Sequence, residues 1–140
     1  MEPVALKDRR IIEAQIGRKP RGLIGVGLRC SHGYPQLGVV SPLVEGEPFP
    51  TIYWLTCPFL QREIDRLEAG GWIGRLERRV ASSSELMEGM AWAHRQYIAD
   101  RLSLLKPEGR EELEPRGILE DLAKKGIGGI AADLEVSFRR

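Results

Sequence analysis

Cysteine and histidine are scarce in this chain, with two of each among 140 residues. Two thiols, Cys30 and Cys57, allow at most one disulfide, and a reducing compartment disfavours even that. The ordinary reading is a pair of small buried hydrophobes. An excess of charge is also lacking. The formal net charge is +1, which argues against nucleic acid or a membrane surface as the partner, since both normally call for a pronounced basic excess. No long apolar run is present: the longest uncharged stretch, residues 30–44, contains two prolines, two glycines and a histidine, so no bilayer span is expected. The opening Met-Glu-Pro-Val-Ala-Leu-Lys-Asp lacks the basic-then-apolar layout of a signal peptide, and a cytoplasmic location is expected. There is no internal repeat and no low-complexity segment. What remains is an ordinary globular balance, 42% hydrophobic and 29% charged, expected to form a single domain over residues 1–140.

The most informative segment is Pro48-Phe-Pro-Thr-Ile-Tyr-Trp-Leu-Thr-Cys-Pro58. Strand-forming residues bounded by prolines predict a short buried strand. Pro58 suits the first position of a helix, which places Cys57 at the N-cap. A thiol there faces unpaired N–H groups and the positive end of a helix dipole, and both favour thiolate.

Helical spacing of Ile11, Ile12 and Ile16 predicts a helix over residues 3–17, stopped by Gly17. Residues 22–29 read as a strand, residues 31–35 as a turn and residues 36–41 as a second strand, so a hairpin is expected. Residues 42–50 read as a loop. From Pro58 the pattern is helical: Leu60, Ile64 and Leu67 form one stripe that ends at Gly70-Gly71, and Trp72, Ile73, Leu76 and Val80 form another. Ser82 and Glu85 have capping-box spacing for a long helix whose stripe is Leu86, Met90, Ala93 or His94, Tyr97, Ile98, Arg101 and Leu105. A charged surface helix over residues 108–114 and a last one through Ile118, Leu119 and Leu122 complete the chain. The fold class is α+β, with a small, mostly antiparallel sheet of about three strands in residues 1–60, covered by helices, and a helical part over residues 58–130. That helical part alternatively projects from the sheet as an extended bundle.

Three constellations bear on chemistry. Cys30, His32 and Cys57 fall at strand ends and are ligands of the kind zinc uses, with His94 or water as a fourth. Cys57 is also the best candidate for a catalytic thiol, with His32 or His94 as its base. Its ordinary role is a weak cap packed beneath Tyr53 and Leu55. Lys7, Arg9, Arg10, Arg18, Lys19, Arg21 and Arg29 outnumber Glu2, Asp8 and Glu13 by four. Arg21 and Arg29 are therefore candidate anion contacts, against the alternative of a solvated basic turn. The glycines at 22, 25 and 27 run in the wrong order for a dinucleotide fingerprint. Met87, Met90 and Trp92 read as core or a helix-docking surface.

Gln15-Ile-Gly-Arg-Lys-Pro-Arg-Gly22, Arg29-Cys30, the 48–58 segment, Ala93-His94-Arg-Gln-Tyr97 and Gly126-Ile-Gly-Gly-Ile130 together resemble a bacterial family catalogued as domain of unknown function 501, from about Asp8 to Ile130. The family carries no established activity. Its members continue after the last of these segments into a Lys-Cys-Leu-His stretch with further histidines. The resemblance implies that those residues, with the cysteines matching Cys30 and Cys57, would make a metal or iron–sulfur site. This chain instead reads Ala131-Ala-Asp-Leu-Glu-Val-Ser-Phe-Arg-Arg140.

The function expected from the sequence is non-catalytic binding of a small ligand, a metal or a protein partner near Cys30 and Cys57, with Arg21, Arg29 and Tyr53 contributing. An enzyme using Cys57 as thiolate or metal ligand is the alternative. A third reading is an interaction protein or homo-oligomer working through the helix over residues 83–105.

Overall fold

A computed structural model describes residues 1–129 of the chain. Its central element is a four-stranded antiparallel sheet in the order β1-β2-β3-β6, formed by β1 (Glu2–Pro3), β2 (Leu23–Arg29), β3 (Pro35–Val40) and β6 (Tyr53–Leu55). The fourth strand comes from the residues before the first helix. Glu2 and Pro3 pair with Val26 and Gly25, so the expected helix over residues 3–17 is shorter and runs as α1 (Leu6–Ile16). Pro3 has no N–H to give a ladder, and a sheet edge is where such a residue is tolerated. Gly17 closes α1 in the left-handed conformation, as its position in the sequence implies.

The loop expected over residues 42–50 contains a small hairpin, β4 (Leu43–Val44) and β5 (Glu47–Pro48). Its turn is Glu45-Gly46, both with positive φ, the backbone twist that two-residue hairpins need. A glutamate is an unusual choice there, which hid the turn from the sequence.

Helices follow as α2 (Pro58–Ala69), α3 (Trp72–Ala81), α4 (Ser84–Ser103), α5 (Pro107–Leu113) and α6 (Ile118–Lys124), with a short turn at Ile127–Gly129. The cap of α4 lies one residue beyond the predicted position: Ser83 Oγ accepts from Leu86 N–H, while Ser82 bonds back to Arg79 O.

Apolar packing forms in two places. Ile12 of α1, which packs on β3, is buried, as are the sheet residues Leu23, Val26, Val39 and Val40 and the nearby Ile52. Leu105, Leu113 and Leu122 form a second cluster among the last helices, backed by Leu43, Leu102, Ile118 and Leu119. Tyrosines tie the two together. Tyr97 of α4 accepts the Ile52 N–H at 3.0 Å, and Tyr53 of β6 donates to Asp100 at 2.8 Å. The two rings meet edge to face, 5.5 Å between centroids. By contrast α2 and α3 bury nothing. Thus α1 covers the sheet and α4 reaches its β6 side; α3 packs against α4 and α2 against α3, and both keep large apolar residues exposed.

Candidate functional site

Cys57 sits where the proline predicted, at the N-cap of α2 with Pro58 at the first helical position. Its backbone is extended (φ −64°, ψ 118°), but its side chain makes no capping bond. The N–H groups of Thr56 and Cys57 share the Gln36 carbonyl at 3.0 and 3.3 Å, which pins the end of β6 to β3. Across the sheet, Cys30 N–H donates to Tyr34 O at 2.9 Å and its carbonyl accepts from Gly33, forming the tight turn after β2. These two anchorages bring Cys30, His32 and Cys57 to the wall of one hollow of about 820 Å³ beside α1. Ile11, Ala14, Tyr34, Phe59 and Leu60 make its surface largely apolar.

Among the described residues no three or more His, Cys, Asp or Glu side chains are grouped to hold a metal ion, so Cys30, His32 and Cys57 share a wall without converging. His32 Nδ1 lies 3.3 Å from Ser31 Oγ, and neither cysteine is in a disulfide. The positions at which the resemblance would place a later Cys/His segment lie outside the described residues.

The remaining predicted contacts lie elsewhere. Arg29 is an anion binder, but its anions are internal. Its guanidinium grips the Asp8 carboxylate through two bonds of 2.8 and 2.9 Å, and its Nε takes Glu2 at 2.8 Å. That grip holds the Asp8 carboxyl below the usual carboxylate range, against the opposing effect of burial. Arg21 pairs with Glu45 across an exposed depression of about 430 Å³. Tyr53 faces α4 rather than the thiols. Burial, then the bond to Asp100 and that carboxylate's charge, push its hydroxyl up to about 12.

A feature with no signal in the sequence adjoins the hollow. A polar cleft of about 490 Å³ shares Gln15 and Pro58 with it and is walled by Arg18, Trp54, Thr56 and Arg62. Arg18 lies over the Trp54 ring, 4.8 Å from its centroid. Asp65 closes the far side, tied to Gln61 at 2.8 Å. Gln15 spends its amide N–H on Pro35 O, which leaves its Oε1 unpartnered, and the hydroxyl of Thr56, a residue only 3% exposed, is unpartnered too. Both flank the start of α2, whose first turn has neither a side-chain cap nor an acidic residue. The open amides there form the positive end of a twelve-residue helix.

A family model described as "Protein of unknown function (DUF501)" matches residues 26–137. The chain belongs to this family. No curated protein and no solved structure matches it. The DUF501 match begins at Val26, so it includes Cys30, His32, Thr56 and Cys57 but not Gln15, Arg18 or Arg21, which the resemblance had taken in.

Two of the DUF501 segments meet in the helical half. His94 is fully buried, and its Nδ1 accepts the Ile127 N–H at 3.0 Å. A Cβ on Gly126 would lie 2.3 Å from that nitrogen, so glycine is required by the close approach. Arg101, also fully buried, donates to the carbonyls of Pro50 (2.9 Å), Leu122 (2.7 Å), Gly126 (3.1 Å) and Lys125, and stacks 5.1 Å from the centre of Tyr97. Burial pushes its pKa down from the usual 12.5, yet a guanidinium stays charged at any physiological pH. His94 and Arg101 thus fasten α4 to the chain around Gly126.

Proposed function

We propose that the hollow and cleft together bind one small amphipathic ligand, and that binding rather than chemistry is the protein's task. A site of this size, mostly apolar with a few convergent polar groups, is the usual form of a small-molecule pocket. The apolar body of the ligand occupies the hollow beside Ala14, Tyr34 and Leu60. Its head occupies the cleft, where Arg18, Arg62 and the open amides of α2 favour negative charge. The Thr56 hydroxyl supplies a donor, and Gln15 Oε1 asks for an O–H or N–H in return. The observation that carries this reading is the pair of unpartnered polar atoms at an uncapped helix start that opens onto an apolar hollow.

N-acetylphenylalanine contains all three features: an anion, an N–H donor and an apolar body. Titrated into isotope-labelled protein, it is expected to shift the backbone amides of Thr56, Cys57 and Phe59. Phenylpropionate, without the N–H, should bind more weakly, and the methyl ester, without the charge, more weakly still. Thr56→Val keeps the shape and removes the hydroxyl, and should weaken binding by about tenfold. Equal binding of acid and ester, or no response of these amides to any of the probes, would remove the proposal.

A further inference from the structure

The sheet ends at β6, the last strand in the order β1-β2-β3-β6, and its outer edge is open. Val40 N–H donates to Ile52 O and Thr56 N–H to Gln36 O, with Trp54 opposite Gly38 between them. These pairings turn the main chain of Trp54 toward β3, so the alternate residues Tyr53 and Leu55 turn their N–H and carbonyl groups outward. Among the described residues nothing bonds those outward groups. An open edge of this kind is a template for an extended chain.

The edge also lies in a groove. The cleft at the start of α2 is lined by Trp54, Leu55 and Thr56 in succession. Side chains alternate across a sheet, so three consecutive residues line one cleft through the strand's main-chain edge. The cleft shares Gln15 and Pro58 with the apolar hollow on one side, and Arg18 and Trp54 with the Arg21–Glu45 depression on the other. Val44, Pro48 and Phe49 give that depression an apolar floor.

We infer, building on the binding role proposed for the cleft and hollow, that the groove takes the carboxyl-terminal segment of a polypeptide as an added strand parallel to β6. The terminal carboxylate lies at the open amides of α2, between Arg18 and Arg62. The last side chain fills the hollow, and the residues before it pair with Leu55 and Tyr53. At about 3.3 Å per residue, the side chain two positions earlier lies about 7 Å back, over Phe49 and Trp54. Two observations select a chain end. A free acid leaves the strand edge and the far depression unused, and an internal segment brings no main-chain anion to the helix start.

Isotope-labelled protein titrated with acetyl-Thr-Leu-Thr-Phe, bearing a free carboxylate, tests this against N-acetylphenylalanine. The tetrapeptide should bind at least about tenfold tighter, as added main-chain hydrogen bonds imply. It should also shift the amides of Tyr53 and Leu55, which the single residue leaves unmoved. Methylating its backbone nitrogens one at a time should weaken binding at alternate residues only, since successive N–H groups of an extended chain point to opposite sides. The carboxamide of the same peptide should bind at least about tenfold more weakly than the acid. If N-acetylphenylalanine binds and the tetrapeptide binds no tighter, the carboxyl-terminal inference falls while the small-ligand reading stands. If neither moves the amides of Thr56, Cys57 and Phe59, both fall. An equal response to acid and carboxamide, or to methylation at every nitrogen, also overturns the inference.

Discussion

Asp8 and Arg29 show how side-chain chemistry is legible while its partner is not. The local basic excess pointed to an anion held by Arg29, and the anion proves to be the chain's own carboxylates, 21 and 27 residues earlier in the sequence. Asp8 also reaches back to the Ala5 N–H at 3.3 Å, so one carboxylate both caps α1 and fastens it to the end of β2. Its folded pKa lies below the ordinary value of 3.8. The stability it supplies is therefore complete above that ordinary value and is lost as the pH falls through the depressed one. Asp8→Asn should cost about 2 kcal/mol at neutral pH in chemical denaturation. The gap between variant and wild type should narrow as the pH drops below about 4. Gly126→Ala makes a second prediction at this scale. Because the added methyl collides with a buried histidine ring, the variant should lose about 2–3 kcal/mol. The sequence marked Gly126 only as the end of a helix. Nothing in spacing or composition shows that His94, thirty-two positions earlier, lies against it.

Elements were read well where local chemistry decides them. The proline pair around residues 48–58, the glycines at 17 and 70–71, and the helical stripes all appear where the pattern placed them, because proline, αL glycine and apolar periodicity act within a few residues. Three elements depended on tertiary pairing instead. β1 exists only because β2 offers it an edge, the β4–β5 turn uses a strained glutamate, and α4 takes its cap from Ser83 instead of the equally plausible Ser82. The last of these is directly testable. Ser83→Ala should destabilise the protein by about 1 kcal/mol, the usual cost of removing an N-cap, while Ser82→Ala should be nearly neutral, and equilibrium unfolding of the two variants distinguishes the caps. The stripe of residues 83–105 is part buried and part open: Ala91, His94 and Arg101 are buried in a helix that packs against α3, α6 and the 127–129 turn, while Leu86 and Trp92 are exposed.

At the scale of the molecule, the sheet with α1 and the cluster of α5 and α6 hold separate apolar cores, and polar side chains of α4 join them. The α+β class followed from the order of the elements, and the shared wall of Cys30, His32 and Cys57 from their positions at strand ends. The unpartnered Gln15 and Thr56 atoms did not, since satisfaction of a polar group is a property of the assembled fold. Neither did Arg101. A buried arginine with no carboxylate loses its hydration, and here four backbone carbonyls from both sides of α4 compensate for that loss. Pro50 precedes β6, whereas Leu122, Lys125 and Gly126 belong to the last helix and its end. One guanidinium therefore couples the sheet to the carboxyl-terminal cluster. Arg101→Met keeps much of the volume and strands all four carbonyls, so it should cost about 3–5 kcal/mol. The diagnostic is the loss of cooperativity. In the wild-type chain the helical far-ultraviolet signal and the fluorescence of Trp54, read in a background where Trp72 and Trp92 are replaced by phenylalanine, should vanish together in denaturant. In Arg101→Met the helical signal should fall first, because α5 and α6 lose their tie while Trp54 stays held by the sheet and Arg18. Coincident transitions in the variant would show that Tyr53 and Tyr97 suffice to unite the two cores.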